Sequence, residues 1–286
     1  MSSSTIWSDF LGEPFSLAYL NARGIRTRYL EAGSGPAVIL LHGRGGHLES
    51  WIHNIIPLSR RFQVFALDMV GHGFSGKPEM EYSITAYASH AEAFVEALGL
   101  RSASFVGQSL GGWVAAWVAI CRPELVEKLV LVNNNGFRPI SPEVVAKIRQ
   151  SSMVAIEHPT LESMQARLKP LVLNQSLITE ELVRIRMGIY CQPEMKRIMS
   201  SVVGAELEPD RQKQFELTPE RLRRIVAPTL VIWTEHDPLC AWTEAEAHRR
   251  NLPQSEFHVL RDCAHWPQFE RAEEFNRLIT EFLARR

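Results

Sequence analysis

The chain has 286 residues, 31 basic and 32 acidic, with 45% apolar and 22% charged, enough for one large domain or two small ones around a sizeable core. No basic stripe points to nucleic acid and no run of like charge to an interaction tail. The start, Met1-Ser-Ser-Ser-Thr5, lacks the basic and apolar regions of a signal peptide, and the longest apolar run, Trp113 to Cys121, is far below the roughly 18–20 residues that span a bilayer.

Four cysteines (Cys121, Cys191, Cys240, Cys263) show no paired spacing, so neither a disulfide framework nor a zinc clip is expected. The expectation is a cytoplasmic protein that acts on a small molecule, with no cofactor, no metal, no nucleic acid and no membrane. The oligomeric state stays open, a homo-oligomer being one option.

In chain order, Phe15–Leu20 and Ile25–Glu31 read as two strands, and Ala32-Gly-Ser-Gly-Pro36 as a turn. Ala37–Leu41 is an unbroken apolar run of buried-strand length, followed by His42-Gly43. Phe62–Asp68 is another. Ser83 can cap a helix whose apolar face carries Tyr87, Ala91, Phe94 and Leu98. Ala103–Gly107 is a strand, Leu110–Cys121 a helix rich in small residues, and Lys128–Asn133 a strand. Far downstream come the strands Thr229–Thr234 and Glu256–Leu260, then a helix from about Ala272 to Ala284.

Strands alternating with helices predict a mostly parallel sheet with helices on both faces. Unbroken apolar strands belong in such a sheet because both of their faces are buried. From about Phe137 to Arg211 the sequence is largely helical, with several prolines and no strand of the buried kind. The prediction is a core built from residues 1–136 and 212–286, with a helical cap at 137–211.

Gly107-Gln108-Ser109-Leu110-Gly111 matches G-x-S-x-G where a strand ends and a helix begins. A serine at such a turn has an exposed hydroxyl, and flanking glycines let neighbouring backbone approach without a clashing Cβ. The Leu110 N–H, at a helix N-terminus, points at the oxygen of a bound carbonyl. The second oxyanion donor is expected from Gly43 or Arg44, after the third strand. His42 reads as a loop anchor rather than a base.

A serine hydroxyl needs a base. Of ten histidines, His265 is best placed, between the last strand and the final helix. Its loop falls at the carboxyl edge of the sheet, with Ser109. His258 lies in a strand pattern and His248 in a surface helix. Asp237, after the strand ending at Thr234, is expected to orient the imidazole. Glu235 reads as a solvated charge. The order Ser109, Asp237, His265 differs from that of the two well-known protease triads.

Gly71-His72-Gly73-Phe74-Ser75-Gly76 matches G-x-G-x-x-G. Lys77-Pro78 stand where its helix should open, and no acidic residue ends a second strand some 20 residues on, so it reads as a rim loop. Arg184 and Arg186 sit two apart on a helix and so on different faces.

At these residues the chain resembles the α/β-hydrolase superfamily over nearly its whole length. That resemblance implies an eight-stranded, mostly parallel sheet with an inserted cap. Within it, His265-Trp266-Pro267-Gln268-Phe269-Glu270, running into Phe275-Asn276-Arg277-Leu278, is similar to the His-Trp-x-Gln-aromatic-Glu stretch of the meta-cleavage-product hydrolases. These split a C–C bond in dienoate ketones made by ring-opening of catechols.

The cap segment Glu181-Leu-Val-Arg-Ile-Arg186 resembles the region where that family keeps an arginine for the substrate carboxylate, and the match falls on Arg186. The resemblance further implies that Trp266 lines the pocket. Arg44, His47, Glu49 and Gln108 depart from the family pattern at positions expected near the substrate's acidic end. Asn133-Asn134-Asn135 could line the pocket or bond the cap loops. Two other outcomes stay open: a carboxylesterase or lactonase with the same triad, and a non-catalytic receptor that kept the fold. Haloalkane dehalogenases and epoxide hydrolases use a carboxylate where Ser109 stands.

Overall fold

The computed structural model describes residues 5–204 and 207–285. Eight strands, β1 (Phe15–Ala22), β2 (Ile25–Ala32), β3 (Ala37–Leu41), β4 (Gln63–Leu67), β5 (Ala103–Gln108), β6 (Val126–Val132), β7 (Thr229–Thr234) and β8 (Ser255–Leu260), form one sheet. Its order is β1-β2-β4-β3-β5-β6-β7-β8. β2 pairs antiparallel with β1 and β4, and all other pairs are parallel.

Every residue of β3, β5 and β7 is buried. Only a sheet covered on both faces does this, which is why these segments lack alternation. β1 and β2 do alternate, and they lie at the margin of the sheet, where one face meets water. Predicted and observed strand ends differ by two residues or fewer, within the fraying expected of any boundary.

The helices are α1 (Ile52–Ser59), α2 (Ile84–Ala97), α3 (Leu110–Cys121), α4 (Pro142–Glu157), α5 (Leu161–Leu168), α6 (Glu180–Tyr190), α7 (Pro193–Gly204), α8 (Pro209–Phe215), α9 (Pro219–Leu222), α10 (Trp242–Arg249), α11 (Pro267–Glu270) and α12 (Ala272–Leu283). Ser83 caps α2 by accepting from the Ala86 N–H. α3 is apolar on all sides and almost wholly buried, as a helix between sheet and neighbouring helices must be. α12 buries Phe275, Ile279, Phe282 and Leu283 on one stripe and packs on α1.

α1 has no counterpart in the sequence reading, since it is a single short element with Pro57 inside it. Between β6 and β7 lie the helices from α4 to α9. α4 packs on α5 and α7, and α5 on α6. α8 runs past residue 211 to Phe215. Because the sheet is parallel from β4 to β8, the loops after β3, β5, β7 and β8 share one carboxyl edge.

Candidate active site

Ser109 ends β5 and caps α3 with φ 54° and ψ −116°. An L-residue held there costs about 1–3 kcal/mol, so its surroundings must fix it. They do: its N–H donates to Val132 O at 2.9 Å, and its carbonyl accepts from Trp113 and Asn135 N–H, each at 3.1 Å. A Cβ at Gly107 would sit 2.2 Å from Gly111 O, and one at Gly111 would sit 2.1 Å from Leu41 O. Only glycine lets β5, α3 and the end of β3 come this close.

The loops after β7 and β8 bring Asp237 and His265 together. His265 Nδ1 lies 2.5 Å from Asp237 Oδ2. An ionised carboxylate only accepts, so the proton sits on Nδ1 and Nε2 is left as a base. Asp237 Oδ1 accepts from the Leu239 and Cys240 N–H groups, at 2.9 and 3.0 Å, which fixes the carboxylate.

The histidine loop is pinned from three directions. Gln108 Nε2 and Asn133 Nδ2 donate to His265 O at 3.0 and 3.3 Å, and Ala264 N–H donates to Glu270 Oε2 at 2.9 Å. The other Glu270 oxygen accepts from Leu173 and Asn174 N–H of the cap, each at 2.7 Å.

Ser109 and His265 line one cavity of about 130 Å³, together with Gly43, Arg44, Gln108, Trp266 and cap residues that include Ile148, Arg167 and Leu171. Its lining carries no carboxylate among the described residues. Just behind it Arg186 is 1% exposed, its guanidinium carbon 5.6 Å from the centre of the Trp266 ring. Arg186 Nε and Nη2 are buried without hydrogen-bond partners, as is the Tyr190 hydroxyl on the same helix. Burial lowers the Arg186 guanidinium to about 10, still charged at neutral pH.

The described residues contain no helix long and apolar enough to cross a membrane. The family of the alpha/beta hydrolase fold matches residues 36–272. The chain belongs to the α/β-hydrolase fold family.

Among its relatives is a 2-hydroxy-6-oxo-6-(2'-aminophenyl)hexa-2,4-dienoic acid hydrolase of Metapseudomonas resinovorans, 32% identical over 94% of this chain and 91% of the relative. A 2-hydroxy-6-oxo-6-phenylhexa-2,4-dienoate hydrolase of Burkholderia cepacia is 31% identical over 93% and 94%. A solved meta-cleavage product hydrolase from Pseudomonas fluorescens IP01 superposes with TM-score 0.79 at 29% identity, covering 93% of this chain and 97% of that one.

In this α/β-hydrolase, Gly43, Arg44, Gln108 and Trp266 stand at the cavity where the sequence reading put them. Gln108 spends its amide N–H on the His265 carbonyl, so its tie is to the histidine loop. Leu110 opens α3 directly after the serine. His42 is an anchor: its Nε2 accepts from Met69 N–H at 3.0 Å and its Nδ1 bonds Gly43 O at 2.8 Å. Burial holds it neutral, well below the usual histidine range. Arg184 pairs with Glu180 on the surface, while Arg186, on the other face, is buried. Glu235 pairs with Arg261 and takes no part in holding His265. The Gly71–Gly76 loop opens no helix.

One expectation is corrected. His47 and Glu49 do not line the cavity. Glu49 accepts from Arg28 at 2.6 Å and lies 2.7 Å from His47 Nδ1, and Arg28 reaches Asp68 at 3.3 Å. Both side chains are taken up in this buried network, and burial alone would raise Glu49, but its partners His47 and Arg28 bring it down to about 2.

Sequence reasoning gave Asn133 no settled role. Its side chain exchanges hydrogen bonds with Thr234 at 2.9 and 3.0 Å, tying β6 to β7 beside the histidine loop. Its positive φ of 40° breaks β6 at that point. Arg167 and the tether at Glu270 were missed altogether.

Proposed function

We propose that this α/β-hydrolase cleaves the C–C bond of a 2-hydroxy-6-oxo-dienoate, a meta-cleavage product of aromatic degradation, with Ser109, His265 and Asp237 as its triad. The relatives' names support this reading, and one observation carries it: Arg186, a buried guanidinium with no carboxylate partner among the described residues, beside Trp266 at the cavity. A buried cation without a counter-ion is costly, and a substrate carboxylate would supply one.

In this reading His265 first assists conversion of the dienol to the ketone. Ser109, or a water activated by His265, then adds to the 6-carbonyl carbon. The N–H groups of Leu110 and of Gly43 or Arg44 hold the oxyanion. The bond to the neighbouring carbon breaks. Its electron pair runs through the conjugated enone to the 2-oxygen, which is protonated to give a hydroxydienoate. The carbonyl fragment leaves as a carboxylic acid, directly or after hydrolysis of the acyl-serine. The four free cysteines fit a cytoplasmic setting, and the substrate is the only partner invoked.

An esterase or lactonase needs the nucleophile, base and oxyanion donors but no carboxylate anchor. Arg186→Ala separates the two. Dienoate kcat/KM should fall about 100-fold or more, as a buried charged hydrogen bond is lost, while hydrolysis of a short nitrophenyl ester changes only a few-fold. Equal losses on both substrates would favour the ester reading.

A further inference from the structure

Arg167, on cap helix α5, lines the cavity with Ser109 and His265. Its Nη1 donates to Ser152 Oγ at 2.6 Å and Ser151 Oγ at 3.2 Å, both on α4. These hydroxyls fix the guanidinium without neutralising it. No carboxylate pairs with Arg167 among the described residues, and its Nε is buried without a partner.

Arg167 and Arg186 share one neighbourhood. The Arg167 guanidinium carbon is 6.0 Å from the centre of the Tyr190 ring, and Tyr190 is one turn from Arg186 on α6. A Cβ on Gly45 would lie 2.8 Å from the Tyr190 hydroxyl and 3.2 Å from Arg167 Nη2, so both reach the same point of the loop after β3. The charge of Arg167 also makes the Arg186 guanidinium easier to deprotonate. Two fixed cations and an unpartnered phenol therefore surround one end of the site. A lone carboxylate answers one of the cations.

We propose that Arg167 is a second substrate-binding guanidinium, clamping with Arg186 an acidic end that carries an oxygen beside its carboxylate, and that Arg167 holds the charge arriving on that oxygen as the C–C bond breaks. The second half rests on the C–C reading above. When the bond electrons reach the 2-oxygen, the end that already bears a carboxylate becomes dianionic. Ester hydrolysis puts no charge there, so Arg167 acts on one reaction and not on the other.

The test uses Arg167→Gln and Arg167→Lys with two readouts. First, nitrophenyl acetate hydrolysis is inhibited with 2-oxopentanoate or with pentanoate. The wild type should bind the 2-oxo acid about 10-fold more tightly, and Arg167→Gln should erase that preference. Second, kcat on a 2-hydroxy-6-oxo-dienoate should fall about 100-fold in Arg167→Gln, the scale of losing one preorganised donor, with part recovered by Lys.

If the wild type cleaves no dienoate yet loses its 2-oxo-acid preference with Arg167, the C–C reading falls and the clamp stands. An unchanged preference and unchanged dienoate turnover in Arg167→Gln would overturn the clamp. So would a parallel loss of ester and dienoate activity with a lowered Tm.

Discussion

His42, His72 and His90 are buried side chains near the active-site edge, and each is held uncharged by burial. His90 sits between Thr27 Oγ1 at 2.7 Å and the Val70 N–H at 3.1 Å. Burial lowers His72 and His90 to about 4. In the unfolded chain both take up a proton near pH 6.5, while the folded protein resists until about pH 4. The unfolded state thus binds more protons in that window, and stability is full above pH 6.5 and lost as pH falls toward 4.

Each such group contributes a slope of at most about 1.4 kcal/mol per pH unit. Urea unfolding of wild type and His90→Gln at pH 7 and pH 5 isolates one of them. The variant should be less stable at pH 7 and lose less on acidification. Identical losses would mean that His90 is not held neutral. Of these three, only His42 had a reading of its own in the sequence, as a loop anchor. The partners of His90, Thr27 and Val70, lie 63 and 20 positions away, and no local pattern announces such pairs. The same holds for Arg28 with Glu49 and Asp68. The proposed triad was legible for the opposite reason: each member stands on the loop that follows a parallel strand, so chain order alone sends it to the carboxyl edge.

Among the elements, the parallel strands were legible from unbroken apolar runs, and α2 from its serine cap. α1 was not, because eight residues with a proline make too short a period to read. The cap was legible as helical but not in its attachments. Glu270 supplies one: its carboxylate joins Leu173 and Asn174 of the cap to Ala264 of the histidine loop. The Trp266 N–H adds a bond to Leu171 O at 2.9 Å. Three N–H groups converging on one half-buried carboxylate make a joint whose loss loosens both cap and base.

Glu270→Ala should lower stability by about 2 kcal/mol, the scale of hydrogen bonds to a charged group. It should also reduce dienoate kcat/KM about 10–100-fold, because a base displaced by an ångström is a poor one. Glu270→Gln keeps an acceptor and should recover part of both. Chemical denaturation beside steady-state kinetics measures this. Unchanged values in Glu270→Ala would remove the joint from the account.

For the molecule as a whole, a sheet covered on both faces delivers its strand-end loops to one edge, and the cap closes over them to leave a small cavity whose lining, among the described residues, carries arginines and no acid. Fold and triad follow from the sheet's chemistry. In the proposed reading, substrate choice lies in side chains that the cap contributes, Arg167 and Arg186 above all, and these meet the core only in three dimensions.

Ser109 is proposed to serve C–C hydrolysis here. The most direct measurement is single turnover of a coloured 2-hydroxy-6-oxo-dienoate by wild type and Ser109→Ala, following the chromophore and both products. Wild type should convert the dienoate stoichiometrically to hydroxydienoate and carboxylic acid, and Ser109→Ala should slow product release about 10⁴-fold or more. A wild-type enzyme that leaves the dienoate intact while hydrolysing nitrophenyl esters through Ser109 would contradict the account.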